Sequence, residues 1–256
     1  MKKMIALLLA ALMICAMFTG CGEKGTTLKS VQKAGKLTIA TSPDFPPFES
    51  LGDNNEVVGI EIDVLNLICE QLGVTLEINQ MDFDSVLPGV QAGKFDVGVS
   101  GISVTEKRQK NVLFTDPYCL AAQAIVVTEG SSITCKADLE GKKVSVQTGT
   151  TAEEYCMDNG YEVLSFTANN DAAAALTTGK VDAWVVDNEV AVALAAQQGL
   201  TVLDEAMTSE PYAFAFAKGS DELVSSFNAS LKKLMDDGSI QEIFDKYGVL
   251  YVAPEA

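Results

Sequence analysis

The sequence predicts an α/β fold built as two similar βα lobes joined by two crossing strands. Three observations predict it. Apolar residues switch between strand-like and helix-like periods along the chain. The same order of elements recurs after residue 140. An eight-residue pattern, x-G-K-[FV]-D-[VA]-x-V, occurs twice, as AGKFDVGV (92–99) and TGKVDAWV (178–185).

At the amino end, Lys2 and Lys3 precede an apolar run from Met4 to Met17 that is short for a bilayer span and fits an export signal. Phe18-Thr19-Gly20-Cys21 resembles a lipoprotein signal, in which Cys21 becomes the acylated first residue. A plain signal peptide with a chance cysteine is the other reading. Residues 1–20 are thus a signal peptide, and 21–35, which include GEKGTTLKS, a tether.

KLTIATS (36–42) is a strand that runs into the turn-rich PDFPPFES. In EVVGIEIDVLNLICEQLG, Ile60, Val64, Leu67, Ile68 and Leu72 share a helical face, and Gly73 stops the helix. VTLEINQ alternates as a strand, DSVLPGVQAG is a short helix and KFDVGVSG a strand. The order then repeats: KKVSVQ strand, TTAEEYCMDNG helix, YEVLSF strand, NDAAAALTTG helix, KVDAWVV strand. LAAQAIVVT and YAFAFAK are apolar and strand-like, and they are read as the crossings, with hinge strands near 120–128 and 210–218. DELVSSFNASLKKLMDD and SIQEIFDKYG close the fold as helices. Lobe one is then 36–122 with 213–256, and lobe two 123–212, with a cleft between them.

The chain of 256 residues, 48% hydrophobic and 21% charged, suits a globular protein. Its net charge of −17 repels phosphate backbones, so no nucleic-acid partner is expected. Histidine is absent, which excludes Ser-His-Asp and Cys-His catalysis, His-ligated zinc and an imidazole base. Neither a G-x-x-x-x-G-K-[ST] loop nor a strand-to-helix G-x-G-x-x-G turn occurs, and neither metal nor cofactor is expected. Cys69, Cys119, Cys135 and Cys156 could pair in three ways in an exported chain, or stay as free thiols.

Arg108 is the only arginine among eighteen basic residues, and it lies within SGISVTEKRQK (100–110). Ser103 and Glu106 stand at capping-box spacing, which puts Arg108 on a first helical turn just after a strand. Open α/β sheets bind ligands there, and a helix amino end and a guanidinium fork both favour a carboxylate. Neighbouring hydroxyls would complete such a site, although helix capping alone would also explain them. Gln147 to Thr151 offer a second helix start, with Thr151 and Glu154 at the same spacing. Asp187, ending KVDAWVVD, could receive an ammonium or cap the helix that begins at Asn188. An arginine for a carboxylate and an aspartate for an ammonium together describe an α-amino acid.

TSPDFPPFES, VVGIEIDVLNLICEQLG, MDFDSVLPGVQAGKFDVGVSGISVTEKRQKNVLFTDPY, VQTGTTAEEY and VDAWVVDNE, in that order, resemble the family 3 extracellular solute-binding proteins. These are receptors of polar amino acid ABC importers, and the resemblance runs from Lys36 to Tyr247. It implies a periplasmic-binding-protein-like fold of type II. It also implies that Arg108 grips the ligand α-carboxylate, with Ser103 and the Thr151 backbone assisting, and that Ser100 is among the ligand-binding residues. The Gly101 carbonyl would take the α-ammonium, with Asp187 as its counter-ion. Phe45 and Phe83 would stack on the ligand side chain, and Gln147 sits where members vary with ligand. Ser42 stands where many members that take cationic or amide ligands carry aspartate.

No matched position supplies a second cation, so a neutral polar or cationic L-amino acid is the expected ligand. The expected partners are that free amino acid, an ABC permease in the cytoplasmic membrane, and membrane lipid through acylated Cys21. The protein would be a lipid-anchored monomer facing outside the cytoplasm, and not an enzyme. Two alternatives share the fold. One is a cyclohexadienyl (arogenate/prephenate) dehydratase, whose acid would come from Asp44, Glu49 or Asp187; the other is a ligand-sensing binding protein.

Overall fold

The computed structural model describes residues 25–254, so residues 1–20, read as an export signal, and Cys21 lie outside the described residues. The stretch read as a tether turns helical at its end. Thr27 and Ser30 form a reciprocal capping box, Gly35 closes the helix at φ 70°, and Val31 is buried between them. This first helix, α1 (Leu28–Ala34), is fastened to the domain where the Thr26 amide donates to Ser220 Oγ at 3.0 Å.

The chain continues through β1 (Lys36–Thr41) and a meander of β2 (Asp44–Phe45), β3 (Glu49–Leu51) and β4 (Val57–Val58). Then come α2 (Ile60–Leu72), β5 (Thr75–Gln80), α3 (Phe83–Gln91), β6 (Val97–Gly98), α4 (Glu106–Gln109), β7 (Val112–Phe114) and β8 (Cys119–Ala121). The second half holds β9 (Gln123–Thr128), β10 (Lys143–Gln147), α5 (Thr151–Asp158), β11 (Glu162–Phe166), α6 (Asn169–Thr177) and β12 (Ala183–Asp187). It closes with α7 (Asn188–Gln198), β13 (Leu200–Val202), β14 (Glu210–Tyr212), β15 (Ala215–Ala217), α8 (Asp221–Asp236) and α9 (Ser239–Lys246).

Two five-stranded sheets share one plan. Their strand orders are β5-β1-β6-β15-β7 and β11-β10-β12-β9-β13. In each, three parallel strands of the βα units are followed by an antiparallel strand. That strand is β15 in the first sheet, arriving on the return crossing, and β9 in the second, entered on the outgoing one. The crossing itself is an antiparallel pair, β8 with β14, which sets Cys119 opposite Tyr212 and Ala121 opposite Glu210. Most of the two apolar stretches read as crossings is therefore sheet core, and the crossing is three residues wide on each side.

The repeated x-G-K-[FV]-D pattern is a structural unit. Gly93 (φ 67°) and Gly179 (φ 69°) end α3 and α6. Their amides donate to Val90 O at 2.8 Å and Leu176 O at 3.0 Å, and the following lysine amides reach one residue further back. The aspartate then serves the neighbouring strand. Asp96 Oδ2 accepts from the Thr38 amide and Asp182 Oδ2 from the Lys143 amide, both at 2.8 Å.

A continuous apolar core runs through the first sheet and the crossing, with Phe48, Tyr118, Tyr212 and Phe214 in ring contact. Trp184 is fully buried in the second sheet. Cys69, Cys119, Cys135 and Cys156 are all free thiols. No described helix is long and apolar enough to cross a membrane.

Candidate functional site

Arg108 does sit on the first turn of a helix, but the cap differs from the expected one. The N-cap is Thr105, whose Oγ1 accepts from the Arg108 amide at 3.2 Å, and not Ser103. Ser103 is held two residues earlier by a β-bridge to Tyr212, and its hydroxyl donates to Glu210 Oε2 at 2.5 Å. The guanidinium spans the cleft: Nη1 donates to Ser103 O at 2.9 Å and Nη2 to Gly149 O at 3.1 Å. It lies over the Phe83 ring, 5.6 Å from its centroid. Burial lowers the Arg108 pKa, while Glu154, Glu210 and Asp187 work in the opposite direction.

The second helix start is also shifted, by one residue. Thr150 is the N-cap, accepting from the Glu153 amide at 3.2 Å, and Glu153 Oε2 accepts from the Gly149 amide at 2.7 Å. Gly149 makes the turn possible at φ 80°, and a Cβ there would lie 3.1 Å from Asp84 Cβ. The shift leaves Thr151 free for the cleft. Its hydroxyl donates to Glu210 Oε2 at 2.6 Å and accepts from Gln123 Nε2 at 3.3 Å.

Asp187 ends β12 and occupies the N-cap position of α7, yet its side chain makes no capping bond. It is buried and accepts instead from the Tyr212 hydroxyl. Burial raises its pKa to about 7, and Glu210 pushes the same way; hydrogen bonds from Tyr212 and Gln123 hold it down. Glu210 was not expected from the sequence. It lies on the crossing strand β14, gathers a hydroxyl from each side of the cleft, and takes a third from Thr208 at 2.9 Å.

The opposite edge is built around Asp44. It accepts from Ser42 Oγ at 2.9 Å, from Gln147 Nε2 at 3.1 Å and from the Asn169 amide at 2.8 Å. Gln147 Oε1 in turn accepts from Asn169 Nδ2 at 3.1 Å. Between the edges, Phe45 packs on Phe48 and Tyr212 and against Gly101, which has φ 50°. A Cβ on residue 101 would come within 2.3 Å of the Phe45 ring. Ser100 faces away, donating to Glu49 Oε1 at 2.7 Å.

The structure therefore brings Arg108, Ser103, Thr151 and Asp187 to one end, Ser42 and Gln147 to the other, and Phe45 and Gly101 between. Phe83 backs Arg108, and a pocket of about 270 Å³ opens beside them, lined by Leu87, Pro88, Lys107 and Glu154 among others. The lobes meet on both edges, through Arg108–Gly149 and Lys107–Glu154 on one and Asp44–Gln147 on the other. Among the described residues no group of three or more Cys, Asp or Glu is placed to hold a metal ion.

Two similar α/β lobes, paired crossing strands and a cleft with an arginine on one wall and an aspartate on the other define a cleft-closing binding protein. The chain belongs to the bacterial extracellular solute-binding proteins, family 3, which it matches over residues 37–249. It is 32% identical to the ABC transporter arginine-binding protein 1 of Escherichia coli (strain K12) over 222 residues, which cover 84% of this chain and 91% of the relative. The P235GK mutant of ArgBP from T. maritima superposes with a TM-score of 0.83 at 36% identity, covering 86% of this chain and 98% of that one. An ancestral arginine-binding protein, 41% identical, was solved bound to arginine (TM-score 0.79, covering 83% and 98%) and bound to glutamine (TM-score 0.80, covering 83% and 97%).

Proposed function

We propose that the protein is the extracytoplasmic substrate-binding component of an amino acid ABC importer, and that its ligand is a cationic L-amino acid, L-arginine foremost. Arg108 and Asp187 match the α-carboxylate and α-ammonium. Charge count carries the rest: Glu210 and Asp44 add two carboxylates to the cleft beyond that pair. A positive ligand side chain compensates them, and an acidic one adds repulsion in a desolvated site. Asp44 lies two residues beyond Ser42 and bonded to it, so it supplies an acid near the position where Ser42 lacks one. The arginine-binding names of the relatives support the same choice.

Each charge-assisted hydrogen bond contributes about 1.5–3 kcal/mol, so a few suffice for roughly micromolar affinity, about −8 kcal/mol. The ligand acts by preferring the closed lobes to open ones, and the closed form is what a permease receives. In this reading lobe one is 36–122 with 213–256 and lobe two 123–212. Acylated Cys21 holds a monomer to the outer face of the cytoplasmic membrane, and no catalysis takes place.

A thermal-shift and calorimetric screen of the twenty amino acids tests the proposal. L-arginine or L-lysine should raise the melting temperature and bind with one-to-one stoichiometry; tight binding of glutamate or aspartate alone would overturn it. One observation favours the dehydratase reading: a carboxyl with a pKa of about 7, as Asp187 has, suits an acid catalyst. Release of phenylpyruvate from prephenate, or of phenylalanine from arogenate, would establish that reading instead.

A further inference from the structure

Below the Ser100–Gly101 turn lies a pair of acids that the cleft does not use. Glu49 and Glu61 are both fully buried, Glu49 on β3 and Glu61 on the first turn of α2. Glu61 is fully engaged: Oε2 accepts from the Gly101 amide at 2.9 Å and Oε1 from the Tyr118 hydroxyl at 2.6 Å. Glu49 accepts from the Ser100 hydroxyl through Oε1, while its Oε2 is buried with no donor directed at it. The two carboxyls are bonded to adjacent residues, Ser100 and Gly101, which brings them together beneath one turn, and Glu61 raises the Glu49 pKa by charge and by hydrogen bonding. Two carboxylates cannot bond without a proton between them, and an orphaned buried oxygen is costly.

We propose that Glu49 and Glu61 share one proton, with Glu49 Oε2 donating to Glu61, and that this singly charged pair positions Gly101 and Tyr118. A proton there satisfies the orphaned oxygen and halves the buried charge. It leaves Glu61 as the anion, which the Gly101 amide and Tyr118 hydroxyl stabilise. Tyr118 leads directly into the crossing strand β8, so one carboxylate ties the cleft turn to the hinge. The positioning role rests on the ligand reading above; the shared proton does not.

The groups facing the pair support it. Glu49 is pushed well above the usual carboxylate range, by burial first, then by Glu61, with Asp44 on β2 adding to it and Ser100 opposing. Tyr118 and Cys119 are raised by burial first and then by Glu61. The charges acting on Glu49 are thus negative, and they favour the protonated form.

The test uses infrared spectra of the full protein without added amino acid at pH 8, in an Asp187→Asn background that removes the other strongly raised carboxyl. A protonated-carboxyl C=O band should be present and should vanish in Glu49→Gln, which keeps one acceptor for Ser100 and a donor for Glu61. Absence of the band in the background protein overturns the proposal, whether or not the Glu49 variant folds. A band that survives the substitution overturns it too.

Stability against pH is the second readout. Because the folded pKa of Glu49 exceeds the unfolded one, its contribution is full below about pH 4.3 and is lost as pH rises through the folded value. Glu49→Gln should therefore gain melting temperature over its background increasingly from pH 5 to pH 8; a constant offset contradicts the shared proton. For the positioning role, Glu61→Gln should speed Gly101 amide exchange at least tenfold, and unchanged exchange overturns that part.

Discussion

Arg108 donates across the cleft to the carbonyl of Gly149 at 3.1 Å, and its other arm holds the Ser103 carbonyl at 2.9 Å. One guanidinium thus bonds both sides of the cleft and fastens the lobes together. Its planar fork serves two directions at once, which a lysine ammonium does not reproduce. Arg108→Lys should weaken L-arginine binding at least tenfold and Arg108→Ala about a hundredfold or more, from roughly 1.5–3 kcal/mol for each charged hydrogen bond. Titration calorimetry measures both, and circular dichroism checks that the fold is retained.

In the proposed function Asp187 receives the ligand ammonium, and binding should then depend on pH. That contact needs the ionised carboxylate, and burial raises the Asp187 pKa to about 7. Affinity should rise about tenfold between pH 6 and pH 8 and level off above, as the ionised fraction does. The arginine guanidinium and α-carboxylate do not titrate in this window. A flat profile measured by calorimetry would remove Asp187 from the ammonium site.

The same carboxylate destabilises the protein at high pH. Its folded pKa lies above the unfolded value, so its favourable contribution is complete below about pH 3.9 and disappears as pH rises through 7. Asp187→Asn should raise the melting temperature at pH 8, raise it distinctly less at pH 5, and bind ligand far more weakly. Stability gained together with affinity lost marks a group kept for binding.

Asp44 should discriminate ligand charge. Asp44→Asn keeps the bonds' shape but removes one charge from the Ser42–Gln147 edge. The preference for L-arginine over its uncharged analogue L-citrulline should fall by about tenfold, matching one charge-assisted bond. Equal losses for both ligands would show instead that Asp44 serves lobe closure alone.

Gly101→Ala should damage the floor of the cleft. The added methyl meets the Phe45 ring at 2.3 Å, and φ 50° is strained for alanine. A loss of about 1–3 kcal/mol in unfolding free energy, measured by denaturant titration, is expected.

The scaffold was legible where glycine and periodicity act locally. Gly73, Gly93 and Gly179 end helices where the pattern breaks, and the Asp96/Asp182 repeat marks the matching strands of both sheets. The meander β2–β4 was not, because strands of two or three residues carry no readable period. Cap positions failed by a residue or two. Thr150 and Thr151 both fit the spacing to a glutamate, and the φ of Gly149 decides between them. Ser103 loses the cap to Thr105 through a partner 107 residues away.

The two proposed anchors stand out in the sequence, Arg108 by its rarity and Asp187 by its place at a strand end. Glu210 and Tyr212, which meet Ser103, Thr151 and Asp187, carry no such mark in the sequence. Their roles exist only once the crossing strands bring distant segments together, and no local pattern signals a carboxylate about to receive two hydroxyls.

The most direct test is calorimetric titration of L-arginine into the wild-type protein and Arg108→Ala in parallel at pH 8. The wild type should bind one-to-one near or below micromolar, and the variant at least about a hundredfold more weakly. Wild-type affinity in Arg108→Ala would contradict the proposed function.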